Sequence, residues 1–179
     1  MSGGVLGLVL AGGQSTRFGS DKAVAQLDGQ TLLERAISHL AGLCDEVVVV
    51  GRNVAPVEVL RDWPRAGMGP LGGIAAGLRH ADAKGRATVL SCGVDSVGLP
   101  NDLLQRLSPA PAYIASQPVI GNWPVSAVAT IEEILTGDGR HSMRAFAEAI
   151  GARSVQLEQA PQNINTPDDL AELEKRNER

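Results

Sequence analysis

The chain has 179 residues, 44% apolar and 20% charged, which suits a globular unit with a buried core and excludes disorder. A formal charge of −4 without a basic cluster leaves no electrostatic footprint for nucleic acid or an anionic membrane, and 3% aromatics argues against a base-stacking strand binder. Cys44 and Cys92 fit neither a disulfide scaffold nor a zinc site, which takes about four ligands, and read as small core residues in a reducing compartment.

Val5 to Leu10 is a short apolar run ending in glycines, the pattern of a strand buried on both faces. No basic segment precedes it, and Val5 to Ala11 falls far short of the roughly 20 residues that span a bilayer. The expectation is a soluble, cytoplasmic protein. A helix begins at Thr31, where Thr31 and Glu34 form a capping-box pattern and Leu32, Leu33, Ala36, Ile37 and Leu40 share one face. Glu46–Val50 and Val57–Leu60 read as strands. The segment from Pro70 reads as a helix with proline in its first turn, its glycines suggesting close backbone packing or ligand approach. Ala87–Ser91 is a further strand and Asn101–Leu107 a short helix. Strand-like runs follow at Tyr113–Ala115 and Val125–Val128, helices at Ile131–Leu135 and Ser142–Ile150, and a strand at Ser154–Leu157. The last helix starts at Thr166, with a threonine cap, Pro167 at its first position and Asp168 and Asp169 in its first turn. His39 and His80 fall on helices without a metal-ligand partner nearby and read as surface residues.

Strands alternating with helices imply an α/β fold: right-handed crossovers and a mostly parallel sheet covered on both faces, in three layers. No repeat, linker or low-complexity tract divides residues 1–179, so one domain is expected. Ligands of such sheets bind at the carboxyl ends of the strands, which selects the loops after Leu10, after Leu60, after Ser91 and before Thr166.

The loop after Leu10 reads LAGGQSTRFGSDKA. Gly12, Gly13 and Gly19 can present backbone N–H groups to a phosphate, because no Cβ blocks the approach. Ser15 and Thr16 are further donors, and Arg17 and Lys22 bring the positive charges a polyphosphate needs. A solvated surface turn is the other reading of the glycines. The spacing matches neither the Walker loop, since Gly19 is followed by Ser20-Asp21-Lys22, nor the G-x-G-x-x-G dinucleotide fingerprint, since Gly12 and Gly13 are adjacent. Asp95 lies just past the strand ending at Ser91, where a hard carboxylate beside phosphates suits Mg²⁺.

Leu10 through Lys22 resembles the L-A-G-G-x-S-x-R-(M/F)-G-x-D-K signature of the molybdenum cofactor guanylyltransferases, nucleotidyltransferases with a Rossmann-like sheet. The resemblance implies that the loop wraps the phosphates of GTP, with Leu10, Ala11, Gly12 and Gly13 at the nucleotide and Arg17, Lys22 and Asp95 carrying the catalysis. Asp62, Gly69, Pro70 and Leu71 stand where the family has further nucleotide-binding residues; a solvated loop acid is the other reading of Asp62. Val94-Asp95-Ser96-Val97 keeps the family's metal-binding aspartate and lacks its proline. Asn163-Ile-Asn-Thr-Pro-Asp-Asp-Leu170 is similar to the family's N-(I/V)-N-T-P-(E/D)-(E/D)-L, which implies that Asn163 and Asn165 sit beside the metal and the pterin acceptor. Trp123 and Pro124 occupy the place of the family's acceptor-facing His-Pro, Trp123 replacing the histidine; packing of an irregular loop explains Trp123 equally. Arg140 and Arg144 stand where the family approaches the pterin phosphate, or in a solvated turn.

The expected activity is therefore transfer of GMP from GTP to the terminal phosphate of molybdopterin with release of pyrophosphate, with a molybdoenzyme or its chaperone as a further partner. A cytidylyltransferase or another small-molecule nucleotidyltransferase is the alternative within the class. A non-catalytic nucleotide- or pterin-binding homologue is the alternative outside it.

Overall fold

The computed structural model describes residues 3–12 and 21–179. The elements in chain order begin with β1 (Val5–Leu10), a 3-10 turn (Lys22–Val24), the hairpin β2 (Gln26–Leu27) and β3 (Gln30–Thr31), α1 (Leu32–Ala41), β4 (Glu46–Val50) and β5 (Val59–Leu60). Next come α2 (Gly69–Ala83), β6 (Thr88–Gly93), β7 (Ser96–Val97), α3 (Leu103–Arg106), β8 (Ala112–Ile114) and β9 (Gln117–Pro124). A 3-10 turn (Val125–Ala127) leads into α4 (Val128–Thr136), followed by α5 (Met143–Ala149), β10 (Arg153–Val155), β11 (Gln162–Asn163) and α6 (Pro167–Asn177).

Seven strands form the central sheet in the order β10-β8-β9-β6-β1-β4-β5. The pairs β1·β4, β1·β6, β4·β5 and β8·β10 are parallel, and β9 runs antiparallel to both neighbours. From β1 the chain first builds outward through β4 and β5, then returns to lay β6 on the other side. That reversal leaves a crevice at the carboxyl ends of β1 and β6, where ligands bind in sheets of this kind.

Period-two alternation splits the sheet's side chains between two cores. Val9, Val47, Val49, Leu90 and Cys92 join the face covered by Leu32, Leu33, Ala36 and Leu40 of α1. Leu6, Leu8, Val48, Val50 and Val89 join the face covered by α2, α4 and α5. The α1 capping box is formed, Thr31 accepting from Glu34 N–H while Glu34 accepts from Thr31 N–H. The α2 glycines serve close packing: a Cβ on Gly73 would stand 2.6 Å from Leu10 and 2.8 Å from Val50. Cys44 and Cys92 are free, and burial pushes both thiols up to about 12.

The structure departs from the sequence pattern around residue 120. The strand lies at Gln117–Pro124, while Val125–Val128 forms the 3-10 turn and opens α4. Pro118 and Pro124 at the strand's ends and Gly121 inside it mask a strand that only the ladders to β6 and β8 define. The histidines also depart from the surface reading. His39 is half-buried and its pKa is lowered by that burial. His80 is packed between Glu46 and Glu58.

Candidate active site

A cavity of about 740 Å³ opens at the carboxyl edge of the sheet, within the size range of small-molecule sites. Leu10 and Gly12 enter it from the end of β1, Val50 and Gly51 from β4, and Gly93 and Asp95 from β6. Asp62, Gly69 and Pro70 come from the segment that enters α2, and Asn163 from β11. The four loops that the sequence rule selected thus meet here, joined by the end of β4.

Lys22 and Asp95 form an ion pair at this edge, Nζ to Oδ2 at 3.2 Å, with side chains 18% and 25% exposed. Lys22 is held by the turn it occupies: Asp21 caps that turn by accepting from Ala23 N–H at 3.1 Å. Asp95 is fixed from behind. Its carbonyl accepts from Ile164 N–H at 3.1 Å, and the next residues pair antiparallel with the Asn163 strand, Ser96 with Asn163 and Val97 with Gln162. The ladder thus holds a turn that lacks the family's proline. Gln117 braces the same corner, accepting from the Ser96 hydroxyl at 2.9 Å and donating to the Pro161 carbonyl at 2.8 Å.

The carboxylates here differ in environment. Burial raises the Asp62 pKa above the usual carboxylate range. Asp169 is held below that range by the backbone N–H groups of Asn165 and Thr166, each at 2.9 Å, and further by the charge of Lys22. The capping carboxylate of α6 therefore lies within the field of the Lys22–Asp95 pair.

Not every expected residue reaches the cavity. Leu71 is fully buried in the α2 core. Ala11 donates to Val50 O at 2.9 Å and Asn165 donates its N–H to Asp169; neither lines the cavity. Trp123 and Pro124 are placed elsewhere: their backbones pair with Val89 and Thr88 toward the amino end of β6, four and five residues of strand, about 13 and 17 Å, from Gly93. Trp123 is 0% exposed, stacked against Tyr113, tilted against Phe146, and donates its indole N–H to Ser91 at 2.9 Å. Gly121 makes room for the ring, since a Cβ there would come within 2.2 Å of it. The tryptophan is therefore a core residue. The start of β9, Gln117–Val119, lines the cavity instead, together with Met143 at the start of α5, while Arg140 and Arg144 are exposed. Gly13 and Arg17 lie outside the described residues, as do Ser15, Thr16 and Gly19. Gly51 was missed by the sequence reading, although a glycine directly after the valine run Val47–Val50 is a strand-end signal of the kind that found Gly12.

Among the described residues, one group has metal-ligand composition and spacing: Glu46, Glu58 and His80. Glu46 opens β4 at the amino edge of the sheet, and it also pairs with Lys84 at 3.8 Å and Arg86 at 3.4 Å. These cations occupy the carboxylate, and the group takes no part in the cavity.

The strand order and the reversal between β1 and β6, with a lysine–aspartate pair at that point, define a Rossmann-like α/β protein. Residues 7–158 match the MobA-like NTP transferase domain, and the chain belongs to that family of nucleotidyltransferases. It is 38% identical to a molybdenum cofactor guanylyltransferase of Acidiphilium cryptum (strain JF-5), covering 91% of this chain and 90% of the relative. It is 34% identical to a protein of the same name from Rhodobacter capsulatus, covering 96% of each. The fold matches molybdopterin-guanine dinucleotide biosynthesis protein A from Archaeoglobus fulgidus with a TM-score of 0.78 at 21% identity, over 97% of this chain and 98% of that one. No helix among the described residues is long and apolar enough to cross a membrane.

Proposed function

We propose that this chain transfers GMP from GTP to the terminal phosphate of molybdopterin, releasing pyrophosphate, as one cytoplasmic nucleotidyltransferase unit. The observation that carries the reading is the Lys22–Asp95 pair, 3.2 Å across, with Asp95 lining the same cavity as Gly12 at the end of β1. The relatives' name, molybdenum cofactor guanylyltransferase, supports guanine as the base and the pterin as the acceptor. The dinucleotide product passes to a molybdoenzyme or its chaperone.

An oxygen of the acceptor phosphate attacks the α-phosphorus of GTP. A new P–O bond forms, the bond to the oxygen bridging to the β-phosphorus breaks, and its electron pair leaves with pyrophosphate. The acceptor is ionised at neutral pH, so no general base is needed; positioning and charge neutralisation do the catalysis. Lys22 and Arg17 meet the triphosphate oxygens, and Gly12 and Gly13 let the backbone approach them. Asp62, Gly69 and Pro70 border the nucleotide, while Asn163 borders the acceptor.

The donor set fits one hard divalent cation. Asp95 presents Oδ1 over Gly93, where a Cβ would stand 2.6 Å away, so the glycine keeps that oxygen's place open. One carboxylate with phosphate oxygens and waters is the usual environment of Mg²⁺; Asp95 would hold such an ion, which would supply charge neutralisation of the phosphates. Asn165, with its N–H committed to Asp169, contributes through placement of Asn163.

The test is pyrophosphate release with Mg²⁺, purified molybdopterin and each of GTP, CTP and ATP, with the dinucleotide identified by mass spectrometry. Release with GTP alone is expected. Release with CTP alone changes the base. No release with any, where a transferase of known activity turns over, leaves a binding protein and overturns the reading.

A further inference from the structure

Beside the nucleotide site lies a turn that touches both chain segments flanking the glycine loop. Gly51, the first residue after β4, has φ +91°, a conformation open to glycine. A Cβ there would fall 2.3 Å from Gly12 N and 2.4 Å from Gly12 Cα, so the turn lies directly against the chain entering the loop. The next residue, Arg52, reaches the chain leaving it. Its Nη1 donates to both carboxylate oxygens of Asp21, at 3.0 and 2.8 Å. Asp21 in turn caps the 3-10 turn that carries Lys22, and Lys22 pairs with Asp95.

We propose that Arg52 is a positioning residue for the nucleotide site: by fixing Asp21 it sets Lys22 at the carboxyl edge of the sheet before the nucleotide arrives. The inference rests on the transferase reading above. Arg52 does not line the cavity, although Gly51 does, so its action on the nucleotide passes through Asp21 and Lys22. Its side chain is 20% exposed and its Nε is buried with no hydrogen-bond partner among the described residues, so within these residues the burial of this cation is offset through the Asp21 contact and packing. Asp21 is 49% exposed, and a half-exposed pair adds little to global stability. Its effect is to raise the fraction of molecules whose Lys22 is already placed, and apparent affinity follows that fraction.

The test compares the parent protein with Arg52→Met, Arg52→Lys, Asp21→Asn and the Arg52→Met/Asp21→Asn double variant. The first readout needs no nucleotide: the rate of trypsin cleavage of the folded protein at the Lys22–Ala23 bond, with Tm measured alongside. The second is KM for GTP and kcat in the pyrophosphate assay. Arg52→Met and Asp21→Asn should each raise cleavage and KM about three- to fivefold, the factor expected of a partly exposed ion pair, with kcat nearly unchanged. The double variant should be no worse than either single one, and Arg52→Lys should recover most of the parent behaviour. Unchanged cleavage and KM in both singles overturn the proposal. Losses that multiply in the double variant also overturn it, because Arg52 then acts on the nucleotide independently of Asp21. Should Arg52→Met fail to fold, Asp21→Asn and Arg52→Lys carry the same comparison. A parent protein that does not turn GTP over sinks the transferase reading, while the cleavage series still decides whether the clamp exists.

Discussion

Lys22 and Asp95 stand 73 positions apart in the chain and 3.2 Å apart at the site. On the proposed reading, Lys22 is the cation for the triphosphate and Asp95 the hard carboxylate for a divalent ion. Removing one preorganised charged contact of this kind lowers turnover about 10²- to 10³-fold. Lys22→Ala and Asp95→Ala should each do so in the pyrophosphate assay, and turnover at the parent rate in Asp95→Ala would overturn the metal assignment. Two other carboxylates are separable by carbon-detected NMR titration. Asp62 should titrate above the ordinary aspartate range, because burial opposes its charge, and Asp169 below it, because the Asn165 and Thr166 N–H groups favour its charge. The signs for stability are opposite. Asp169, with its folded pKa depressed, supplies stability above the unfolded aspartate pKa that is lost as pH falls through the folded value. Asp62, with its folded pKa raised, favours the fold while protonated, and that contribution is lost as pH rises through the folded value. Both carboxyls titrating together would contradict the two environments.

At the scale of elements, α6 has no fully buried residue, with Leu170 and Leu173 packing part-buried on the first core, and it leans on its start. Thr166 accepts from Asp169 N–H at 3.2 Å while Asp169 accepts from the Thr166 and Asn165 N–H groups. Thr166→Ala should lower unfolding free energy by about 1 kcal/mol, measured by urea denaturation. It should also weaken GTP binding, since the same segment carries Asn163 and the Ile164 N–H that holds Asp95. Unaltered nucleotide affinity would show that α6 is a bystander. This capping pattern was legible in Thr166-Pro167-Asp168-Asp169, as the α1 box was in Thr31 and Glu34, because a cap is written within four residues. The two-residue ladder of β7 with β11 was not legible, since its partners lie about 65 residues apart and neither segment has a strand pattern of its own.

Over the whole molecule, two cores clamp one sheet, and Trp123 is the largest side chain in the core beneath α2, α4 and α5. Truncating such a buried aromatic costs about 3–5 kcal/mol, so Trp123→Ala should lower Tm by of order 10 °C in a thermal scan. GTP affinity of the folded fraction should hold, because the indole is buried in the core and lines no part of the cavity. A selective loss of pterin binding at parent Tm would instead restore Trp123 to the acceptor site.

The sequence by itself determined the α/β alternation, the two helix caps, the end of β1 at Leu10 and the acid beyond β6, because each is written in local periodicity or in residues a few positions apart. The tertiary structure alone decided that Trp123 packs inside while Gln117–Val119 face the cavity. An antiparallel strand presents its first residues, not its last, at the carboxyl end of the strand it pairs with, and the direction of β9 is set by pairing with β6 and β8. It alone also decided that Gly51 and Arg52 lie against the chain on either side of the glycine loop. That contact depends on β4 lying beside β1 in the sheet, and no spacing along the chain records which strands are neighbours.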